Sequence, residues 1–499
     1  MDLSTLPLFL SLTFAPPADA APGVPATEVD VSTTSTESQP SAPPDQPAPV
    51  EESAPAEQPA PPEQPEPADQ PEPADEHPDV PAGEANSKQD PEISPLVPKN
   101  DLARWASKPI NLEKAQFRPG KGLTFKSQGG DFSLTTGARI QLLYTLDHAN
   151  EQDEDDTAPA TAHSFQIRRA RLVFAGNMFG KHNKFKLELS FSPKDIGQAG
   201  SGARFTIMRD FYVEFDHLRD LTVRIGQYKL PYSQQRVTSS SKLQLVDRSI
   251  VGKEFDFDRD IGLDLRSKDF LGLGKLRYYA GVYMGGGRDN FAAEPVTRGG
   301  GLVYLARIEV SPLGFFKDHL EGDFRRERKP HLALGATYSF MDDAVFDRGT
   351  KGSYFEDEGT SNYHNVNASA VFKILGFSLT SEFFWRKGTR SPGDAMIEDD
   401  MGDLVPAPVT PPRNGMGWYA QAGYMIPRVP LELAARFSQV IALGDATQTS
   451  TSDKQEVGGG LSWYVAGHPF KIQLDYFRGW SDDIGAGDDQ IRLQTQLSF

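Results

Sequence analysis

Arg169 and Arg171 stand two residues apart in the stretch FQIRRARLVFAG (165–176). Side chains of an extended strand alternate between faces, so both guanidinium groups fall on one side. A guanidinium stays charged at every ordinary pH and offers a planar fork of N–H donors that fits carboxylate or phosphate oxygens. Such a pair can hold or pass an oxyanion; it cannot do acid–base work. The same alternation places Arg139, Lys184, Lys186, Arg224, Lys229, Arg277, Arg307, Arg386, Arg436, Lys471 and Arg492 on polar faces of other segments. Glu188, Glu214, Asp264, Glu382, Glu432 and Asp475 share those faces. Two roles compete for each base: attraction of anions, or pairing with a neighbouring acid. Arg168, of opposite parity, is expected to reach along the wall to a polar rim.

Other candidate chemistry is weaker. DFDRDIG (256–262) spaces three aspartates like a calcium loop but lacks the glycine at position six and the glutamate at position twelve. EQDEDD (151–156) could bridge cations loosely, but a run of like charges reads first as a solvated loop. GGGRDN (285–290) has neither the lysine nor the hydroxyl of a phosphate-binding loop. The nine histidines show no metal-ligand spacing, and cysteine is absent, which removes disulfides and thiolate metal sites. No cofactor and no metal are expected. No local signature supports a nucleophile and base at one rim, so an enzyme ranks last among the readings.

The elements that must position these bases are strands. DFSLTTGARIQLLYTL (131–146), KFKLELSF, LELAARFS and FKIQLDYF all alternate apolar and polar residues. Sixteen such segments are expected, near 131–147, 165–178, 183–192, 204–216, 220–230, 259–268, 274–284, 301–311, 330–341, 363–373, 376–387, 415–426, 429–439, 454–466, 469–479 and 490–499. Most exceed the five or six residues usual in soluble proteins and suit the roughly 9–11 needed to cross a bilayer. Short connectors such as ILG and AGHP alternate with long ones, the third at 231–258. Lipid offers no partner for backbone N–H and C=O groups, so a sheet within it must close on itself. The pattern therefore predicts an all-β fold, a closed antiparallel transmembrane β-barrel of about sixteen strands. The last segment, IRLQTQLSF, is expected to pair with the first. Its polar face would meet water in the lumen. Phe185, Phe215, Phe377, Phe470 and Phe499 are expected on the outward face near the short turns, as an aromatic girdle. The rival architecture, a large soluble sandwich or propeller, would use shorter strands.

Upstream the composition changes. Leu6 to Phe14 forms a short apolar core before Ala18-Asp19-Ala20, which predicts a signal peptide over 1–20, although no Lys or Arg precedes the core. Residues 21–114 are rich in proline, alanine and acids, and are expected to be a disordered periplasmic tether. A contact with the cell wall is its alternative role. Within it, residues 22–99 hold 17 acids and 2 lysines, a net of −15 out of −18 for the whole chain. The barrel, 115–499, is thus nearly neutral, and its bases need not be swamped. Nothing in the chain suggests nucleic acid as a partner.

Several stretches resemble the phosphate-selective porin O and P family of Gram-negative outer membranes. They are FQIRRARLVFAG, RDFYVEF (209–215), RIGQYKLPYSQQ (224–235), DRDIGLDL (258–265), GWYAQAGYMI (417–426) and the terminal phenylalanine. The resemblance covers residues 115 to 499 and leaves the acidic proline tract outside. It implies a sixteen-stranded barrel, commonly a homotrimer, with the third loop folded inward and basic residues at the constriction. For loop 231–258 it implies Arg236, Lys242, Arg248 and Lys253 as lining bases. Asp247, Glu254, Asp256 and Asp258 share that loop, and Ser239–Ser241 interrupts it. The function expected is passive passage of small solutes, with a modest preference for anions such as phosphate. A barrel serving chiefly for wall attachment is the alternative.

Overall fold

The computed structural model describes residues 112–150, 160–196, 206–288, 301–316, 321–399 and 401–499. The expected signal peptide, nearly all of the proline-rich tether and the acidic run 151–156 lie outside these residues. The strands, in chain order, begin with β1 (Leu112–Arg118), β2 (Gly122–Ser127), β3 (Ser133–His148), β4 (Thr161–Asn177) and β5 (Asn183–Ser190). Next come β6 (Met208–Leu218), β7 (Leu221–Lys229), β8 (Arg259–Ser267), β9 (Leu276–Tyr283) and β10 (Val303–Val310). Then follow β11 (His331–Ala344), β12 (Thr360–Ile374), β13 (Phe377–Ser391), β14 (Met396–Glu398) and β15 (Leu404–Pro406). The series ends with β16 (Gly415–Met425), β17 (Leu431–Ala442), β18 (Lys454–Ala466), β19 (Phe470–Trp480) and β20 (Asp488–Ser498).

Strands β3 to β13 and β16 to β20 form one antiparallel sheet in which each strand pairs with the next. The sheet closes because β20 returns to β3, with Asp489 opposite His148 and Ser498 opposite Arg139. Phe499 completes the seam: its N–H donates to the Ala138 carbonyl at 2.9 Å, and the Ala138 N–H donates to the Phe499 carbonyl at 2.6 Å. These are the sixteen strands the alternation predicts, each displaced by no more than a few residues. The two-residue connection Leu375-Gly376 has φ angles of 53° and 93°, both left-handed. A two-residue turn of that hand matches the twist of its strands.

The hairpin β1–β2 was not foreseen. It continues the seam beyond Phe499: β2 pairs with the start of β3, Leu123 opposite Thr136, where β20 no longer reaches. The small hairpin β14–β15 lies in a long loop.

Alternation sorts the wall into two faces. In β10, Val303, Leu305, Arg307 and Glu309 are buried inward, while Tyr304, Ala306, Ile308 and Val310 face out and are exposed. Strands β19 and β20 have 11 residues each. At about 3.4 Å per residue and a tilt of about 40°, they rise roughly 28 Å, the thickness of a hydrocarbon core. Phe215, Phe377 and Phe499 are exposed on the outward face near the short turns. At the loop end, Tyr144 and Tyr338 hydrogen-bond His163 and His364 at 2.7 and 2.8 Å, an amphipathic belt on that rim.

The connection after β7, residues 230–258, folds into the barrel. It carries two short helices, α2 (Gln234–Val237) and α3 (Ile250–Phe255), whose N-caps Ser233 and Ser249 accept from Arg236 N–H and Gly252 N–H. Its Leu230, Tyr232, Val251, Phe255 and Phe257 pack against Tyr283, Val303, Leu305, Met341, Tyr363, Phe384, Tyr419 and Val440 of the wall. The inner face is therefore apolar over this arc. Once the loop brings aromatic rings inside, the facing wall positions must be apolar to exclude water from them.

Candidate functional site

The site is built between the infolded loop and the arc β3–β6. A bulge in β4 prepares it. Gln141 pairs with Arg169 and Leu142 with Ile167, so Arg168 is the extra residue. The bulge resets the alternation, turning both Arg168 and Arg169 inward, where they are buried, while Phe165 and Ile167 face out. Arg168 therefore does not run to the rim. Its Nη2 donates to Asp247 of the loop at 3.2 Å.

Around Asp247 gather Arg168 and Arg169 from β4, Lys253 from α3 and Lys194 from α1 (Pro193–Ile196). Burial opposes the charge of Asp247, but Arg168, Lys253 and Arg169 outweigh it and hold the carboxyl well below its usual range. Lys194 titrates below an ordinary lysine, chiefly because Arg168 stands beside it and secondarily through burial. Lys194 and Lys253 are exposed, and Asp247 is half-buried. Deeper in, Arg139 of β3 donates from Nη1 to Ser239 Oγ at 3.2 Å, and Arg169 Nη1 donates to Gln141 at 2.7 Å. Neither forms an ion pair among the described residues, and their Nε–H groups have no acceptor there.

The remaining sequence candidates divide by partner. Arg171 is paired with Glu188 at 3.0 Å and Asp195 at 2.7 Å, Arg224 with Glu214 at 2.5 Å, and Arg277 with Glu309 at 3.2 Å. Other bases hold the loop. Arg307 Nη1 donates to the Tyr232 carbonyl at 3.1 Å, and Arg436 Nη1 to the Asp247 carbonyl at 2.9 Å. Arg248 Nε donates to the Gln235 carbonyl at 2.9 Å, and Lys229 Nζ to the Arg236 carbonyl at 2.9 Å. Arg236 pairs with Asp258 and stays half-buried, as does Lys242. The loop is thus a fixed partition. Glu382 fixes one end of it by accepting the N–H groups of Gln234 and Gln235 at 2.8 and 2.7 Å.

Sequence reasoning missed three participants besides Arg168. Lys194 sits in a loop, where alternation says nothing. Arg209 and Arg259 line the paired wall: Arg209 Nη1 meets Asp195 at 2.9 Å, and Arg259 Nε meets Asp210 at 2.5 Å. Three arginines within four residues at 168–171 were the one visible hint of a bulge.

A barrel closed in this way, with one loop folded inside and cations exposed beside it, has the form of a channel. The family model for phosphate-selective porin O and P matches residues 134–499. The chain belongs to this family. The porin is also 26% identical over 387 residues to an uncharacterized protein of Aquifex aeolicus (strain VF5), covering 72% of this chain and 86% of that protein. Among solved structures it is similar to an anion-selective porin from Comamonas acidovorans, at 12% identity, TM-score 0.44, over 74% of this chain and 100% of that one. It is likewise similar to Salmonella typhi OmpF in complex with daunomycin, at 14% identity, TM-score 0.46, over 77% of this chain and 100% of that one. The porin is an outer-membrane β-barrel channel of the Gram-negative type.

Proposed function

We propose that the porin conducts small solutes passively and prefers anions, phosphate and related oxyanions among them. The observation that carries this reading is the set Arg168, Arg169, Lys194 and Lys253 gathered about the carboxylate of Asp247, with Arg139 deeper between wall and loop on Ser239. A cationic lining lowers the electrostatic barrier for an anion, and several moderate contacts let it leave again. Arg236 and Lys242 extend the lining along the partition. Arg248, Arg307, Arg436 and Lys229 serve the path by holding the loop, and Arg171, Arg224 and Arg277 neutralise acids on the wall. In this reading the long-loop end faces outward, both ends of the barrel domain face the periplasm, and contact with the cell wall is the role of the tether 21–114. A homotrimer in the membrane belongs to the same reading.

Reversal potentials in planar bilayers test it. The wild-type channel under a potassium chloride gradient should reverse toward the chloride potential, and the double variant Arg139→Gln, Arg169→Gln should shift toward zero. Cation preference in the wild type would reject the anion reading, and silence of the bilayer would reject the channel.

A further inference from the structure

The loop 230–258 is met inside the barrel by a second segment, which comes from the opposite end. The connection between β10 and β11 is long for the short-turn end, and its residues 321–330 lie across neighbouring turns. The Gly322 carbonyl accepts from Lys373 Nζ at 2.7 Å, and Asp323 accepts from Gly376 N–H at 2.6 Å. The Leu375 N–H donates to the Glu327 carbonyl at 3.0 Å. Phe324 packs against Tyr464 and His468, with ring centroids 4.4 Å away in each case. Arg326 donates to the Met425 carbonyl. These contacts reach the ends or turns of β12, β13, β16, β18 and β19, so the segment is fixed to five of the sixteen wall strands.

From this platform Glu321 enters the barrel, only 3% exposed. Its Oε2 accepts from the backbone N–H of Gln244 at 2.8 Å and from the wall amide of Gln421 at 2.9 Å. Its Oε1 accepts from the Gln235 amide at 3.4 Å. No cation lies within ion-pair distance of it among the described residues. A buried carboxylate held by neutral donors stabilises a fold less than a well-packed apolar side chain would, and its best-attested use is to fix one arrangement over others. Here the arrangement is specific. Gln235 and Gln244 bracket the stretch of loop that presents Arg236, Val237, Ser239 and Lys242 to the path, and Glu321 binds both brackets. The Gln244 side chain is held in turn by Glu432 at 2.7 Å and Ser378 at 2.8 Å.

We propose that residues 321–330 are a second infolded segment and that Glu321 is the positioning residue that sets the width of the pore, by fixing both ends of the lining stretch 236–242. The proposal rests on the channel reading above. Glu321→Gln keeps the volume and an acceptor for Gln244 and Gln421, but loses the charge and sets its amide nitrogen against the Gln235 donor. That variant should fold and close normally yet release the lining stretch.

Single-channel recordings of wild type, Glu321→Gln and Gln421→Ala test this, made at 1 M salt so that screening, with a Debye length of about 3 Å, suppresses the change in charge. Heat-modifiable gel mobility reports folding separately. The expected result is a folded Glu321→Gln barrel with a larger, noisier conductance, its share of open time in enlarged substates up about tenfold, equivalent to about 1.4 kcal/mol. Gln421→Ala should move the same way by less, and it carries the test alone if Glu321→Gln does not fold. Variants that fold and conduct like wild type would overturn the proposal while leaving the channel reading intact. A wild type that forms no channel would overturn both.

Discussion

The charge balance at Asp247 gives a prediction of unusual sign. Asp247→Asn keeps the Oδ1 acceptor that receives the Arg248 backbone N–H at 3.0 Å, and removes both the charge and the Oδ2 acceptor that meet Arg168 at 3.2 Å. An anion passing about 7 Å from that carboxylate, in a water-lined pore of effective dielectric constant about 40–80, feels a repulsion of about 0.6–1.2 kcal/mol. Removing it lowers the anion's barrier and raises the cation's by the same amount, so anion over cation permeability should rise by roughly eight- to sixtyfold. The assay is the reversal potential of Asp247→Asn under a fixed potassium chloride gradient, compared with wild type at the same ionic strength. A substitution that merely loosened the loop would reduce discrimination. An unchanged or reduced anion preference in a folded Asp247→Asn channel would therefore refute the placement of this group on the path.

Further expectations follow from other parts of the barrel. Lys194 titrates below the ordinary lysine value because Arg168 stands beside it, so as pH rises through that lowered value a positive charge is lost; anion preference should begin to fall below about pH 10.4, and Lys194→Met should abolish this alkaline phase in reversal-potential titrations. Asp247 titrates well below the usual carboxylate range, so its pairing with Arg168 persists above that range and is lost only as pH falls through its lowered value; acid-induced changes in selectivity should start clearly below about pH 4. Deleting Phe499 removes its two backbone bonds to Ala138, each worth about 1 kcal/mol, and should lower the temperature at which the folded gel band is lost. Tyr232 is stacked on Phe257 with centroids 4.1 Å apart, so Tyr232→Ala should cost about 3–5 kcal/mol in the same assay and enlarge the conductance by freeing the loop.

The wall of the barrel was legible in the sequence because alternation is imposed by two solvents. Lipid outside and polar groups inside force each strand from β3 onward to declare its faces, so Phe377, Leu433 and Phe499 marked the exterior without ambiguity. β1 and β2 escaped notice because LEKAQFR and GLTFKS extend the seam beyond the rest of the wall, where no bilayer enforces the pattern. Arg139, Arg169, Arg307 and Arg436 lie on the inner face, as the alternation predicts. What each base does there was not readable, because it depends on a loop whose path has no period. Arg307 and Arg436 clasp loop carbonyls, whereas Arg139 and Arg169 carry no carboxylate partner among the described residues. Arg168 was misplaced for a related reason: a one-residue bulge reverses parity, and only the register against Gln141 and Leu142 exposes it.

The central claim is that the sealed cylinder encloses a path favouring anions. Its most direct measurement is the conductance of purified wild-type protein in planar bilayers, with the sign of the reversal potential read first in a chloride gradient and then in a phosphate gradient. Discrete channel steps that reverse toward the anion's equilibrium potential in both salts are the predicted result. Steps that reverse toward the cation's potential, or a bilayer left silent by folded protein, would contradict it.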